Sequence, residues 1–395
     1  MRWSRIGVSV AASALAAILG LQRSTQAAPG GYEFIKLVDH IEDNYSPRSF
    51  TCASINEAGD IAFKASRSAE DGLSFWDVIA RVSRTGEITT IVEDPARTQF
   101  QFFGNTVSIN DFGQTSFGAF RSNDNLEIIR ADPGSLVTIA STAGAFDAFG
   151  FDTQLNNDGE VAFTGRLDDG NRGLFSGAGG SATTHYLDST PVLVDGVTTD
   201  LFGGNFSRPA INNAGELAFW DLVEPSSSEG VFAGRSGVFR TLGRPDGNRR
   251  YRDPNLNDLG IGAFETSFVN AAGQSVTAIV RSSNGVLSTV ADTLSGFGAF
   301  GFYAPAINRH GQVAFEGLLT DFTTNGVFAG PNPRKDAIIT SADKLDGARI
   351  VSTSIALCAE GLNDSGEVAF IVDVEDNRLL EGFRSAIYLA TPKKR

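Results

Sequence analysis

Five aspartates stand at the ends of strand-like runs spread along the chain: Asp39, Asp94, Asp188, Asp292 and Asp343. Gathered on one rim by a repeating fold, such carboxylates could hold Ca²⁺ or orient the hydroxyl groups of a sugar. They form the candidate acidic, ligand-binding set. The structural alternative is that Asp ends a strand and opens a turn well, and recurs because the unit around it recurs. Other chemistry leaves less trace. His40, His185 and His310 are the only histidines, and none stands at ligand spacing from cysteines or carboxylates, so no metal site is expected. Neither a Gly-x-Ser-x-Gly elbow nor a phosphate-binding Gly-Lys-Ser/Thr loop occurs. The fragment Leu155-Asn156-Asn157-Asp158-Gly159 begins like a calcium loop but lacks the alternating acids and the distal Glu, and reads as a turn. No catalytic residue is assigned, and no cofactor is expected; Ca²⁺ is the one ion the acids would suit.

What must position these residues is a repeat. The unit aliphatic-Asn-x-x-Gly-x-x-x-Phe occurs seven times. Its turn residues are Asn56 with Gly59, Asn110 with Gly113, Asn156 with Gly159, Asn212 with Gly215, Asn257 with Gly260, Asn308 with Gly311 and Asn363 with Gly366. The spacings of 54, 46, 56, 45, 51 and 55 residues fit propeller blades. The aliphatic residue ends one strand, Asn bonds its own backbone in an Asx-turn, Gly takes positive φ, and the Val-Ala-Phe type segment opens the next strand. His310 falls inside such a turn and is expected to be exposed. Third strands are clearest at Gly173–Phe175, Gly230–Phe232, Gly326–Phe328 and Ala386–Leu389. Fourth strands follow at Thr89–Val92, Val137–Ala140, Val238–Leu242, Thr289–Ala291 and Ile338–Thr340, and more weakly at His185–Leu187. The prediction is an all-β, seven-bladed β-propeller of four-stranded antiparallel blades over residues 32–390.

The last repeat stops after its third strand near Ala390, while Tyr32–Asp39 reads as an orphan fourth strand. Pairing the two closes the ring and removes the exposed edges of an open array. Cys52 and Cys358 both precede the Asn of their repeats, in blades that are neighbours only in a closed ring. A disulfide there would staple the seam, with buried free thiols as the alternative. An aromatic residue recurs five to seven positions before Asn in repeats one to six (Phe50, Phe103, Phe151, Phe206, Tyr251, Phe302) and is expected to pack between blades rather than to stack on sugars.

Residues 1–27 follow the grammar of an export signal: Arg2 and Arg5, an apolar run from Ile6 to Leu21, then small and polar residues to Ala27. Its removal leaves 46 acids against 29 bases, a net charge of −17. That disfavours nucleic acid and anionic membranes as partners. No later segment is long and apolar enough to span a membrane. Residues 391–395 read as a short basic tail, and the product is expected to be a secreted or periplasmic monomer.

The unit resembles the tandem Asn-x-x-Gly-x-x-x-Phe repeats of exported bacterial choice-of-anchor proteins, whose relatives carry differing C-terminal sorting tails. The resemblance covers about residues 32–390 and implies an exported propeller-like scaffold with no agreed activity. Lys393-Lys394-Arg395 follows no hydrophobic tail, so a soluble product is expected. The resulting expectation is a non-catalytic scaffold that binds a protein or glycan through the loops joining its blades. The candidate loops are 188–207, 243–253, 341–354 and Leu222–Glu229. The alternatives are a carbohydrate-active enzyme using paired carboxylates from different blades, or a Ca²⁺-stabilised structural protein of the envelope.

Overall fold

A computed structural model describes residues 25–27, 31–69, 74–201, 208–252 and 254–393. The expected leader therefore lies outside the described residues, except for Thr25–Ala27, which pairs antiparallel with Glu33–Ile35 as an edge strand. Lys394 and Arg395 of the basic tail also lie outside, and Thr391 and Pro392 belong to the strand Phe383–Pro392.

Seven antiparallel sheets form the seven blades of a β-propeller. Blade one shows the plain case: Ala53–Ile55, Ile61–Ser68, Phe75–Val82 and Ile88–Glu93 pair in chain order from the channel outward. In blade seven, Val368–Glu375 pairs with Phe383–Pro392, which pairs in turn with the N-terminal Tyr32–Asp39. The register runs from Tyr32 opposite Pro392 to Asp39 opposite Ala386, which closes the ring as the orphan strand predicted. Cys52 and Cys358 form a disulfide across the same seam, with Cα atoms 5.5 Å apart.

The apolar interior is divided into seven clusters, one between each pair of neighbouring blades. The repeat Phe of each unit (63, 117, 163, 219, 264, 315 and 370) is buried in the wedge facing the preceding blade. Burying such a ring contributes about 2 to 3 kcal/mol, so one residue type at one register fastens each blade to its neighbour. Phe50, Phe103 and Tyr251 are buried in these wedges as expected, and Phe206 lies outside the described residues. Phe302 departs from expectation, being 85 % exposed. Phe297 and Phe300 already pack around Phe315 in that wedge, and the chain after Gly301 carries Phe302 outward.

The long connections are structured rather than free. Val192–Val194 and Val197–Thr199 form a hairpin whose first strand pairs parallel with Val238–Gly243, widening blade four to six strands. Within 341–354, Lys344–Leu345 and Ala348–Arg349 form a second hairpin. In the 243–253 segment, Arg249–Tyr251 pairs with Gly262–Val269.

Candidate functional site

The seven Asn turns lie around the channel on one face. Gly59, Gly113, Gly159, Gly215, Gly260, Gly311 and Gly366 take φ between 72° and 82°, the positive values that the sequence predicted for them. Each Asn Oδ1 accepts the backbone N–H four residues on, and Asn110, Asn156, Asn212, Asn257 and Asn308 also accept the N–H two residues on, the bond of the expected Asx turn. The side-chain amide does something further. Asn56 Nδ2 donates to the carbonyl of Asn110 at 3.1 Å, Asn110 to Asn156 at 3.0 Å, Asn156 to Asn212 at 3.2 Å and Asn212 to Asn257 at 3.2 Å. Asn257 then reaches Asn308 at 2.8 Å, Asn308 reaches Asn363 at 3.1 Å, and Asn363 returns to Asn56 at 3.3 Å. The ring of seven hydrogen bonds is closed.

One residue further along each turn, a second tier links Glu57 to Asp111, Asp111 to Asn157, Asn157 to Asn213 and Asn213 to Asp258 through backbone N–H donors and side-chain oxygens. Arg309 to Asp364 and Asp364 to Glu57 complete it except at Asp258. Burial, together with the neighbouring Asp364 and Asp111 charges, pushes Glu57 up to about 6 against the Asp364 N–H that it accepts. These acids rim a cavity of about 170 Å³. Among the described residues, no group of three His, Cys or carboxylate side chains is placed to hold a metal ion.

The five aspartates singled out by sequence are placed elsewhere, at the ends of outer strands, and each serves its own surroundings. Asp39 accepts from Lys36 Nζ at 2.9 Å, Ile41 N at 3.0 Å and Arg384 Nη1 at 3.0 Å. Asp94 accepts from the N–H groups of Gln99 and Phe100, and Asp188 from Arg172 N. Asp292 caps Leu294 N and Ser295 Oγ, and Asp343 caps Thr340 N and Oγ1. They are not brought together.

The opposite face, where the blades are joined by crossover connections, is where the channel acquires reactive groups. The innermost strands are interrupted there: Phe146–Phe149 and Gln154–Leu155, Arg249–Tyr251 and Asn255–Leu256, and Phe297–Phe300 and Ala306–Ile307 are split pairs along one partner strand each. Such breaks re-aim side chains. Residues four and two before Asn share parity, giving Asp152, Arg208 and Ala304 in one set and Ser54, Ser108, Gln154 and Asn255 in the next.

In blade seven, a turn at Cys358–Gly361 swings Glu360 into the second set, where its carboxylate accepts from Ser108 Oγ at 2.8 Å and Ser54 Oγ at 3.3 Å. Gln154 Nε2 donates to Asn255 Oδ1, and Asn255 Nδ2 bonds the carbonyl of Ala359, so polar side chains plug the channel at mid-height. Burial pushes Glu360 up to about 7, although the Arg208 charge and the two serine hydroxyls pull the other way.

Above the plug, Trp220, Arg252, Glu265 and Gly301 to Pro305 line a cavity of about 200 Å³ spanning blades four to six. Arg252 Nε pairs with Glu265 at 3.1 Å, and Tyr303 reaches across the ring to the carbonyl of Thr51. Nearby Glu316 is raised to about 7 by burial, against the N–H of Leu357 that it accepts.

Family of unknown function (DUF7453) matches the chain over residues 23–249 and again over 191–394. The chain belongs to this family. No curated protein matches the chain in sequence. Among solved structures, a prolyl endopeptidase superposes with a TM-score of 0.52 at 11 % identity, over 88 % of this chain and 51 % of its own. Acylaminoacyl peptidase of Pyrococcus horikoshii gives 0.49 at 10 % identity, over 88 % of this chain and 52 % of its own. Polysaccharide lyase Uly1 gives 0.48 at 9 % identity, over 88 % and 90 %. At these identities the likeness is one of fold alone, and this chain spans about half the length of the two peptidases.

Sequence reasoning missed Arg208, Glu360, Glu316 and the Trp220 to Tyr303 wall of the family member. A signal was present for two of them. Residues immediately after the repeat Phe are Lys64, Gly118, Thr164, Trp220, Glu265, Glu316 and Ile371, so blades four to six carry the large or acidic departures on one side of the ring.

Proposed function

We propose that the protein is an exported, non-catalytic propeller that binds a glycan through the crossover-face mouth between blades four, five and six. The observation carrying this reading is the make-up of that mouth. Phe302 is exposed beside the half-buried Trp220, and the Arg252–Glu265 pair and the Tyr303 phenol lie in the same cavity. Flat apolar rings flanked by a few oriented polar groups are what a sugar face and its hydroxyls require. The Asn face offers less, because its amides and carbonyls are already bonded to one another around the ring. Export is supported by the leader-like run from Met1 to Ala27, in keeping with the resemblance to choice-of-anchor repeat proteins. A binding screen of the mature chain against glycans, repeated with Phe302→Ala and Trp220→Ala, tests the reading. A hit that both substitutions weaken supports it, and a hit that neither affects places the contact elsewhere.

A second reading, a carbohydrate-active enzyme, is favoured by one observation: burial pushes both Glu316 and Glu360 up to about 7, the range suited to a general acid. Release of new chain ends from the bound glycan, abolished in Glu316→Gln or Glu360→Gln, would establish it.

A further inference from the structure

We infer that His185 is an acid-sensitive joint between blades three and four: proton uptake by its imidazole releases the Ser236–Gly237 turn and, with it, the hairpin at 192–199.

The joint stands where an arginine fastening used elsewhere in the ring is missing. In blades one, two and five, the third-strand residue opposite the one that precedes the repeat Phe is Arg81, Arg130 or Arg281. Each reaches the Asn turn of the next blade. Arg130 Nη1 donates to the carbonyl of Gly159 at 2.6 Å, Arg281 Nη1 donates to that of Gly311 at 2.9 Å, and Arg81 packs over Gly113. A guanidinium does not titrate in proteins, so these fastenings are indifferent to pH. In blade three the equivalent residue is Ser176, opposite Ala162. Its hydroxyl bonds Glu160 and, at 2.7 Å, Nε2 of His185, all within the same blade. The crossing to blade four is made instead by His185, which lies on the fourth strand, Thr183–Leu187, and is 3 % exposed.

His185 Nδ1 accepts the Ser236 N–H at 3.1 Å, and the His185 carbonyl accepts the Gly237 N–H at 2.8 Å. A ring nitrogen that accepts carries no proton. The neutral imidazole therefore holds its proton on Nε2 and donates it to Ser176 Oγ, which donates in turn to Glu160. A second proton can enter only at Nδ1, where it would face the Ser236 N–H. Protonation and the bond to Ser236 exclude one another. The charged groups that face the imidazole are Glu160, just past the Asn156 turn of blade three, and Arg235, at the end of blade four's third strand. Burial, with the Arg235 charge, holds the ring below its ordinary value against the pull of Glu160.

The turn held by His185 has reason to leave and something to carry with it. Ser236 has φ of 52°, in the left-handed region that a residue with a side chain resists. The Gly237 carbonyl accepts Leu193 N at 2.8 Å, and the Phe239 carbonyl accepts Asp195 N at 2.9 Å. With Asp195 Oδ1 accepting Thr241 N at 3.2 Å, these bonds dock the hairpin on blade four. Asp195, at the hairpin's tip, lines a groove of about 710 Å³ together with Arg240, Arg244 and Asp246 of blade four and the Asn284–Gly285 turn of blade five. Release of the turn thus removes one wall of that groove.

Hydrogen exchange of the full chain, followed by mass spectrometry at pH 5 and pH 8 with rates corrected for the intrinsic effect of pH, tests the inference. The closed joint binds one proton fewer than the open one, so opening is favoured as pH falls below the ordinary value of 6.5, by up to about thirtyfold at pH 5. Peptides covering 192–195 and 235–238 are expected to exchange faster by up to that factor. The blade-one turn at 83–87, whose Ser83 and Gly86 amides are bonded without a histidine, is expected to hold its rate. His185→Gln takes up no proton, and its exchange in both segments should be the same at the two pH values. Nitrogen shifts of the parent imidazole at pH 8 give a reading that needs no variant: the neutral ring should be protonated on Nε2. Unchanged rates in the two segments, a pH step that survives His185→Gln, or a neutral ring protonated on Nδ1 each overturns the inference. Equal acceleration in every blade overturns it in favour of acid unfolding of the whole ring.

Discussion

Replacing one asparagine of the channel ring by aspartate separates the two tasks that residue performs. Asn156 is 4 % exposed. Its Oδ1 accepts Asp158 N at 3.1 Å and Glu160 N at 2.9 Å, holding the turn, and its Nδ2 donates to the Asn212 carbonyl of the next blade at 3.2 Å. Asn156→Asp keeps the acceptor and sets an oxygen against that carbonyl. One net hydrogen bond of about 1 kcal/mol is lost, and the buried carbonyl loses its donor, for a total of about 2 kcal/mol. Asn156→Ala removes all three bonds, about 3 kcal/mol at roughly 1 kcal/mol each.

The fold contains its own control. Asn270 makes the same Asx turn, accepting Ala272 N and Gln274 N at 3.0 Å, but its Nδ2 bonds only Gln274 within the same hairpin. Asn270→Asp is therefore expected to change stability by less than about 0.5 kcal/mol. The carboxyl introduced by Asn156→Asp favours its protonated, donating form in the fold, so its pKa is raised there. The folded state then holds the extra proton, and the deficit grows as pH rises through that raised pKa. Urea unfolding at pH 4 and pH 7 measures both terms. If Asn156→Asp matches the parent protein at pH 7, or Asn270→Asp is equally damaging, the inter-blade ring contributes nothing and the reasoning fails.

Three further outcomes are expected. Cys52→Ser combined with Cys358→Ser, or reduction, should lower the urea midpoint, with a loop of separation 306 giving an upper value of about 5 to 6 kcal/mol; an unchanged midpoint would mean that hydrogen bonding at the seam suffices. Arg384→Ala removes a partner of the 1 % exposed Asp39 and should cost about 2 to 3 kcal/mol at pH 7, Lys36 remaining. Burial pushes Asp39 up, but Lys36, the Ile41 N–H and Arg384 outweigh it, so its pKa lies below the ordinary value. Its contribution is present above that ordinary value and lost as pH falls through the folded one, so the gap between the two proteins should narrow in acid. Glu316, pushed up to about 7 by burial from an ordinary 4.5, weakens the fold as pH rises between those values. Glu316→Gln should match the parent at pH 4 and exceed it at pH 8 by at most about 3 kcal/mol in unfolding free energy.

The fold was legible because its signals are local. An Asn-x-x-Gly turn is specified by four residues, and the orphan strand Tyr32–Asp39 needed only the count of strands at the other end of the chain. The second use of each Asn was readable but unread. An Asx turn requires only an acceptor oxygen, which Asp supplies equally, so seven Asn and no Asp at these positions indicate that the amide donor is also in use. The crossover-face site was less legible. Whether residues 208 or 303 turn inward depends on where the inner strand breaks, and that depends on packing between blades. Glu360 is displaced from its neighbours' register by the turn at Cys358–Gly361, which no propensity marks. The aspartates at strand ends are ambiguous in sequence because one residue type serves both to cap turns and to bind ligands, and their partners in the fold are local ones.

The two faces divide the demands on the chain. At the Asn turns every copy must present the same atoms, because each blade's amide is bonded to the next blade's carbonyl and one defect opens the ring. At the breaks in the inner strands no such cyclic constraint acts, and the residue four before Asn is Cys52, Thr106, Asp152, Arg208, Asp253, Ala304 and Ala359 in the seven repeats. A cystine, an aspartate and a buried arginine can therefore occupy equivalent positions without disturbing the ring beneath them. Differences between copies therefore collect at the crossover face, where no hydrogen-bonded ring holds them equal.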